Sequence, residues 1–89
     1  MTTELYRSFE GKLDVEHRNG FIISALDNGR LRIKTFSVYT DEPEYTYYIM
    51  PTEQYNADTT FTHETARSLL EQIRRDTIKP YRVQIDRKV

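Results

Sequence analysis

Two Asn-Gly dipeptides, Asn19-Gly20 and Asn28-Gly29, bracket the most apolar run of the chain, Phe21-Ile22-Ile23-Ser24-Ala25-Leu26. Asn-Gly between alternating apolar residues is the strongest short-range sign of a β-hairpin, because both residues tolerate the positive φ of a tight turn. An antiparallel meander is therefore expected here. Its register follows from side-chain faces. Two-residue loops would set Glu16 against Ile23 and put Ile23 on one face with Lys34. Three-residue loops, Arg18-Asn19-Gly20 and Asp27-Asn28-Gly29, instead pair Val15 with Ile23, Leu13 with Ala25, Ala25 with Leu31 and Ile23 with Ile33. One face then reads Leu13, Val15, Phe21, Ile23, Ala25, Leu31, Ile33. A slip by one residue scatters that face, so the three-residue loops are expected.

The flanking segments extend the pattern. Leu5, Phe9, Leu13 and Val15 share one parity, with Gly11 marking a bend or bulge in a long first strand. After Ile33 the parity breaks at Phe36 and Val38, which predicts a second bulge near Lys34–Phe36. Asp41-Glu42-Pro43 reads as a turn, Glu44–Met50 as a fourth strand ended by Pro51, and residues 51–60 as a polar loop.

A helix is expected near residues 62–77. Thr62 suits the N-cap, and Phe61 and Ala66 can staple the entry. Ala66, Leu69, Leu70 and Ile73 form one stripe, while Glu64, Ser68, Glu71 and Arg75 lie opposite. Pro80 limits the helix. Tyr81, Val83 and Ile85 then alternate with Arg82, Gln84 and Asp86, which reads as a half-buried closing strand. The expected fold is α+β, a single domain over residues 1–89 of ββββαβ order: an antiparallel β-meander of about four strands, one amphipathic helix packed on one face, and one C-terminal strand.

Composition limits the function classes. Seven Tyr and four Phe supply large buried faces, so the chain can hold a small core despite 30% charged residues. A formal net charge of −1 gives no global field toward nucleic acid or an anionic membrane. There is no cysteine, hence no disulfide or thiolate chemistry. The longest apolar run is far too short to span a bilayer, and the first residues lack the pattern of a signal peptide. The expected location is the cytoplasm, with no membrane partner.

No phosphate-binding loop, dinucleotide glycine motif, nucleophile elbow or zinc-type His-Glu pattern occurs. His17 and His63 stand far apart in the sequence, without cysteine or a paired carboxylate, so no metal, cofactor or catalytic residue is expected. Asp41-Glu42-Pro43-Glu44 reads as a solvated turn. Two surfaces remain. Ile22 and Leu26 project to the sheet face away from the helix, and Tyr48, Met50 and Tyr55 add contact area; these are the protein-contact candidates. In the expected register Asp14 and Glu16 on that face offset a basic row of Arg30, Arg32 and Lys34, and the loop 51–60 is a rival cover for Ile22 and Leu26. Arg30, Arg32 and Lys34 with Arg82, Arg87 and Lys88 are the nucleic-acid-contact candidates. The expected function is a small non-enzymatic protein-interaction or regulatory module, host- or phage-encoded, whose partner is a protein or a second copy of the chain. The alternative is a nucleic-acid-binding domain using a basic, aromatic sheet face.

Overall fold

A computed structural model of the chain describes residues 2–9, 19–37 and 43–87. The elements run β1 (Thr3–Phe9), β2 (Asn19–Ala25), β3 (Leu31–Ser37), β4 (Glu44–Ile49), α1 (His63–Arg74) and β5 (Arg82–Asp86). The strands form one antiparallel sheet in the order β1-β2-β3-β4-β5, and α1 is carried in the β4–β5 connection. This is the ββββαβ arrangement that the patterning predicts.

The β2–β3 hairpin has the expected register, with Ala25 opposite Leu31 and Ile23 opposite Ile33. Its three-residue loop is closed by hydrogen bonds from the Leu26 N–H to the Arg30 carbonyl (2.8 Å) and from the Gly29 N–H to the Leu26 carbonyl (2.9 Å). Gly29 sits at φ +80°, the left-handed conformation that makes glycine the favoured residue there.

The first hairpin differs from expectation. Asn19 and Gly20 are strand residues, paired with Ser37 and Phe36. Tyr6, not Val15, lies opposite Ile23, and Thr3, not Leu13, lies opposite Ala25. The physical reason lies at Gly20. A Cβ there would fall 2.2 Å from the tip of the Phe36 ring and 2.6 Å from the Ser8 carbonyl oxygen. Gly20 thus serves a close approach between strands, under a stacked pair of Phe9 and Phe36 rings 5.9 Å apart. Leu13, Val15, Gly11, Asp14 and Glu16 lie outside the described residues.

The bulge expected near Lys34–Phe36 is absent, and the β2–β3 ladder runs unbroken from Ala25–Leu31 to Asn19–Ser37. Thr35 and Ser37 continue the buried face as polar residues, which is why apolar parity misread them. The Thr35 hydroxyl accepts from the Tyr45 N–H and donates to the Tyr45 carbonyl, both at 3.2 Å, and so bridges β3 and β4 beyond their last paired residues. The register shift occurs instead in β1, between Glu4 and Tyr6.

The helix begins at a capping box. Thr62 accepts from the Thr65 N–H at 3.3 Å, and the Thr65 hydroxyl accepts from the Thr62 N–H at 2.8 Å. The helix ends earlier than Pro80 requires, because Asp76 takes φ 64°. The Asp76 and Thr77 N–H groups bond back to the Ile73 and Gln72 carbonyls at 3.1 and 2.9 Å, a Schellman closure.

Ala66, Leu69, Leu70 and Ile73 turn into one cluster with Phe21, Ile23, Ala25, Leu31, Ile33 and Ile49. Ile23, Ile33 and Leu69 are fully buried. Burial of each such side chain contributes about 1.5–3 kcal/mol. Tyr55 and Phe61 stack at 6.1 Å and complete the helix-side core. The loop before α1 therefore folds toward the helix and not across the other sheet face.

Candidate functional site

The sheet is wider than its roof. A helix is about 10 Å across and covers two or three strands at a spacing of ~4.8 Å. The stripe of α1 packs over β2, β3 and the Ile49 end of β4. All five residues of β5 stay exposed, including Val83 at 46% and Ile85 at 53%. The half-buried closing strand expected from alternation is thus an exposed one; period-two patterning identifies a face and not what covers it. Tyr47 and Tyr45 lie opposite Val83 and Ile85 across the β4–β5 ladder, their rings stacked at 6.2 Å. Together the four make an apolar strip on the helix side of the sheet, running from Tyr47 at the border of the core to the exposed Val83 and Ile85. Among the described residues β5 pairs only with β4, so its second edge presents unpaired backbone groups.

The opposite face is polar. Cross-strand pairing sets Glu4, Ser24, Arg32, Tyr48 and Arg82 in one row. Arg7, Ile22, Lys34, Thr46 and Gln84 form the next. The Arg82 guanidinium lies 5.5 Å from the centre of the Tyr48 ring, and that of Arg30 lies 5.0 Å from the centre of the Tyr81 ring. The two tyrosine rings approach at 6.1 Å. Each such cation–π contact is worth about 0.5–1 kcal/mol at an exposed site. Arg32, Lys34, Thr46, Tyr48, Gln84 and Asp86 line an open depression of about 210 Å³. At the β1 end, Arg7 donates to Glu4 at 2.8 and 3.1 Å. That hydrogen bond, then the carboxylate's charge, raises the Arg7 pKa above its ordinary value.

The nucleic-acid candidates Arg30, Arg32, Lys34 and Arg82 are brought onto one face. Arg87 is exposed just past β5, and Lys88 lies outside the described residues. Beside β2 on this face lies the Glu4–Arg7 pair; Asp14 and Glu16, expected to offset the basic row, lie outside the described residues. The protein-contact candidates are dispersed. Ile22 and Leu26 are half-buried on the β2 side of the basic row, and Tyr48 and Met50 belong to the other side, with Met50 52% exposed. Tyr55 is corrected: it is 7% exposed, and its hydroxyl donates to the Ser68 hydroxyl at 3.4 Å and accepts from the Gln72 amide at 3.1 Å. Burial against Phe61 removes it from any contact surface. Sequence reasoning missed Val83, Ile85 and Tyr81 as surface features. The mismatch between a single short helix and five strands was the available clue.

His63 shares a 2.7 Å hydrogen bond with the Tyr6 hydroxyl and ties the helix start to β1. Among the described residues no three of His, Asp or Glu gather into a group able to hold a metal ion, and no helix is long and apolar enough to cross a membrane. No protein-family model matches this chain, and comparison with curated proteins and with solved structures finds no match.

Proposed function

We propose that the protein is a small non-enzymatic interaction module that takes a partner polypeptide as an added strand along β5. The observation that carries this reading is an unroofed edge strand with Val83 and Ile85 about half exposed beside the Tyr45–Tyr47 stack. An incoming strand gains backbone hydrogen bonds from the open edge and covers the apolar strip, which are the two energetic sources of strand addition. Long, bare apolar edges are otherwise suppressed, because they invite unwanted pairing. We place this activity in the cytoplasm, a setting that suits a cysteine-free chain of near-zero net charge.

Site-specific crosslinking in the cells that express the chain tests it. A benzophenone side chain in place of Gln84 is expected to give a discrete polypeptide adduct, and the same group in place of Arg74 on the helix is not. Ile85→Lys should remove the adduct. No adduct at position 84 above that at position 74 overturns the reading.

A second reading has its own support in the Arg30–Tyr81 and Arg82–Tyr48 contacts beside Arg32 and Lys34. Cations and aromatic faces on one open sheet suit phosphates and stacked bases of single-stranded nucleic acid. It predicts retention of a labelled oligonucleotide at low salt, lost steeply as salt rises and weakened by Arg32→Glu. No retention at low salt ends it.

A further inference from the structure

The β5 sequence, Arg82-Val83-Gln84-Ile85-Asp86, is complementary to itself when run antiparallel. We infer that the strand added along β5 is the β5 of a second copy of this chain, paired about a two-fold axis through Gln84. This rests on the strand-addition reading above and names its occupant. In that register Arg82 lies opposite the partner's Asp86, Val83 opposite the partner's Ile85, and Gln84 opposite its own counterpart.

Every position is matched in kind. Arg82 and Asp86 share the polar sheet face, where Gln84 and Asp86 help line the open depression. Opposite charges directly across two antiparallel strands are stabilising, and apolar pairs add to them. Val83 and Ile85 share the helix-side face, so the pairing covers the two most exposed apolar residues of the strand at once. A slip by two residues in either direction sets Arg82 against Gln84 or Asp86 against Gln84 and breaks both ion pairs. The other edge lacks this property: antiparallel self-pairing of β1 about Tyr6 sets Leu5 opposite Arg7 and Glu4 opposite Ser8.

The geometry of the assembly follows. Opposed residues of equal parity require an axis perpendicular to the sheet, so both helices lie on one side of a continuous ten-stranded sheet. The Tyr45–Tyr47 stacks of the two copies line the valley between the helices. On the polar side the Arg32–Tyr48–Arg82 row of each copy runs into the partner's Asp86 and the partner's Glu44. The interface belongs to the small class, and the dimer is expected to be concentration-dependent.

Sedimentation equilibrium of the full chain, from low micromolar to submillimolar concentration, is the test. The mass should rise from 10.7 kDa toward twice that value. Arg82→Asp alone and Asp86→Arg alone each place like charges at both symmetry-related positions, and each should weaken self-association by roughly ten- to a hundredfold. The double variant R82D/D86R should restore it. So should an equimolar mixture of the two single variants, in which every Asp faces an Arg across the strands. Circular dichroism checks that the exposed substitutions leave the fold intact. A monomer at every concentration, or a dimer indifferent to the charge reversals, overturns the inference. If the chain is monomeric but the crosslinker at position 84 joins it to a different polypeptide, strand addition stands and self-pairing falls.

Discussion

Gly20→Ala probes the close packing of the sheet beneath the Phe9–Phe36 stack. The methyl carbon would sit 2.2 and 2.5 Å from two atoms of the Phe36 ring and 2.6 Å from the Ser8 carbonyl oxygen. The ring can swing away, at the loss of its stacking with Phe9, worth about 0.5–1.5 kcal/mol. The carbonyl belongs to the β1–β2 ladder and moves only if that ladder shifts, which adds overpacking strain of about 1–2 kcal/mol. Reduced freedom of the unfolded chain returns roughly 0.4–1 kcal/mol. The net cost is about 1–3 kcal/mol, a large share of the stability of a domain this small. Urea unfolding followed by circular dichroism measures it. In a Phe36→Ala background the cost of Gly20→Ala should fall by about 1 kcal/mol, because the two substitutions act on one contact. Gly29→Ala is the control. Nothing lies within 4 Å of its added carbon, and its cost of about 1 kcal/mol comes from φ +80° alone, unchanged by Phe36→Ala. A cost below ~0.5 kcal/mol for Gly20→Ala, or one indifferent to Phe36, refutes the strand placement of Gly20.

Three further substitutions test the helix and its seat, all by the same unfolding measurement. Asp76→Gly should stabilise by about 0.5–1 kcal/mol, because Asp76 holds φ 64° at the Schellman position and its 4.0 Å pair with Lys79 is exposed. Thr62→Ala should cost about 1 kcal/mol by removing the side-chain half of the capping box. Leu69→Ala should cost about 2–5 kcal/mol, since Leu69 is fully buried between helix and sheet; a smaller loss would mean that the helix is not the roof of the core.

Local chemistry was legible in the sequence, and long-range contact was not. The Asp27-Asn28-Gly29 loop fixed the β2–β3 register because its glycine requirement is conformational and acts within the turn. The helix stripe and its cap were equally readable, since Thr62, Ala66, Leu69 and Ile73 act within four turns of one element. Asn19-Gly20 misled because its glycine answers a contact with Phe36 and Ser8, both distant in sequence, while its turn-like chemistry is the same. Thr35 and Ser37 misled because buried hydroxyls satisfied by backbone partners carry no apolar mark. The alternation of Arg30, Arg32 and Lys34 showed the basic row. Its stacking on Tyr48 and Tyr81 with Arg82 required knowing that β5 returns beside β4 after the helix. Tyr55 read as a surface residue because the loop that carries it is polar, yet that loop docks its one large ring against the helix.

The proposed working edge of this protein is β5, and the proposed occupant of that edge is a second copy of the chain. A dilution series of amide ¹H–¹⁵N spectra reads that edge residue by residue. Pairing of β5 with a second copy predicts concentration-dependent shifts confined to residues 81–87 and to Tyr45 and Tyr47 across the ladder, with α1 and β1 unmoved. Shifts that cluster on β1 or along Arg30, Arg32 and Lys34, or a spectrum that does not change with concentration, would contradict it.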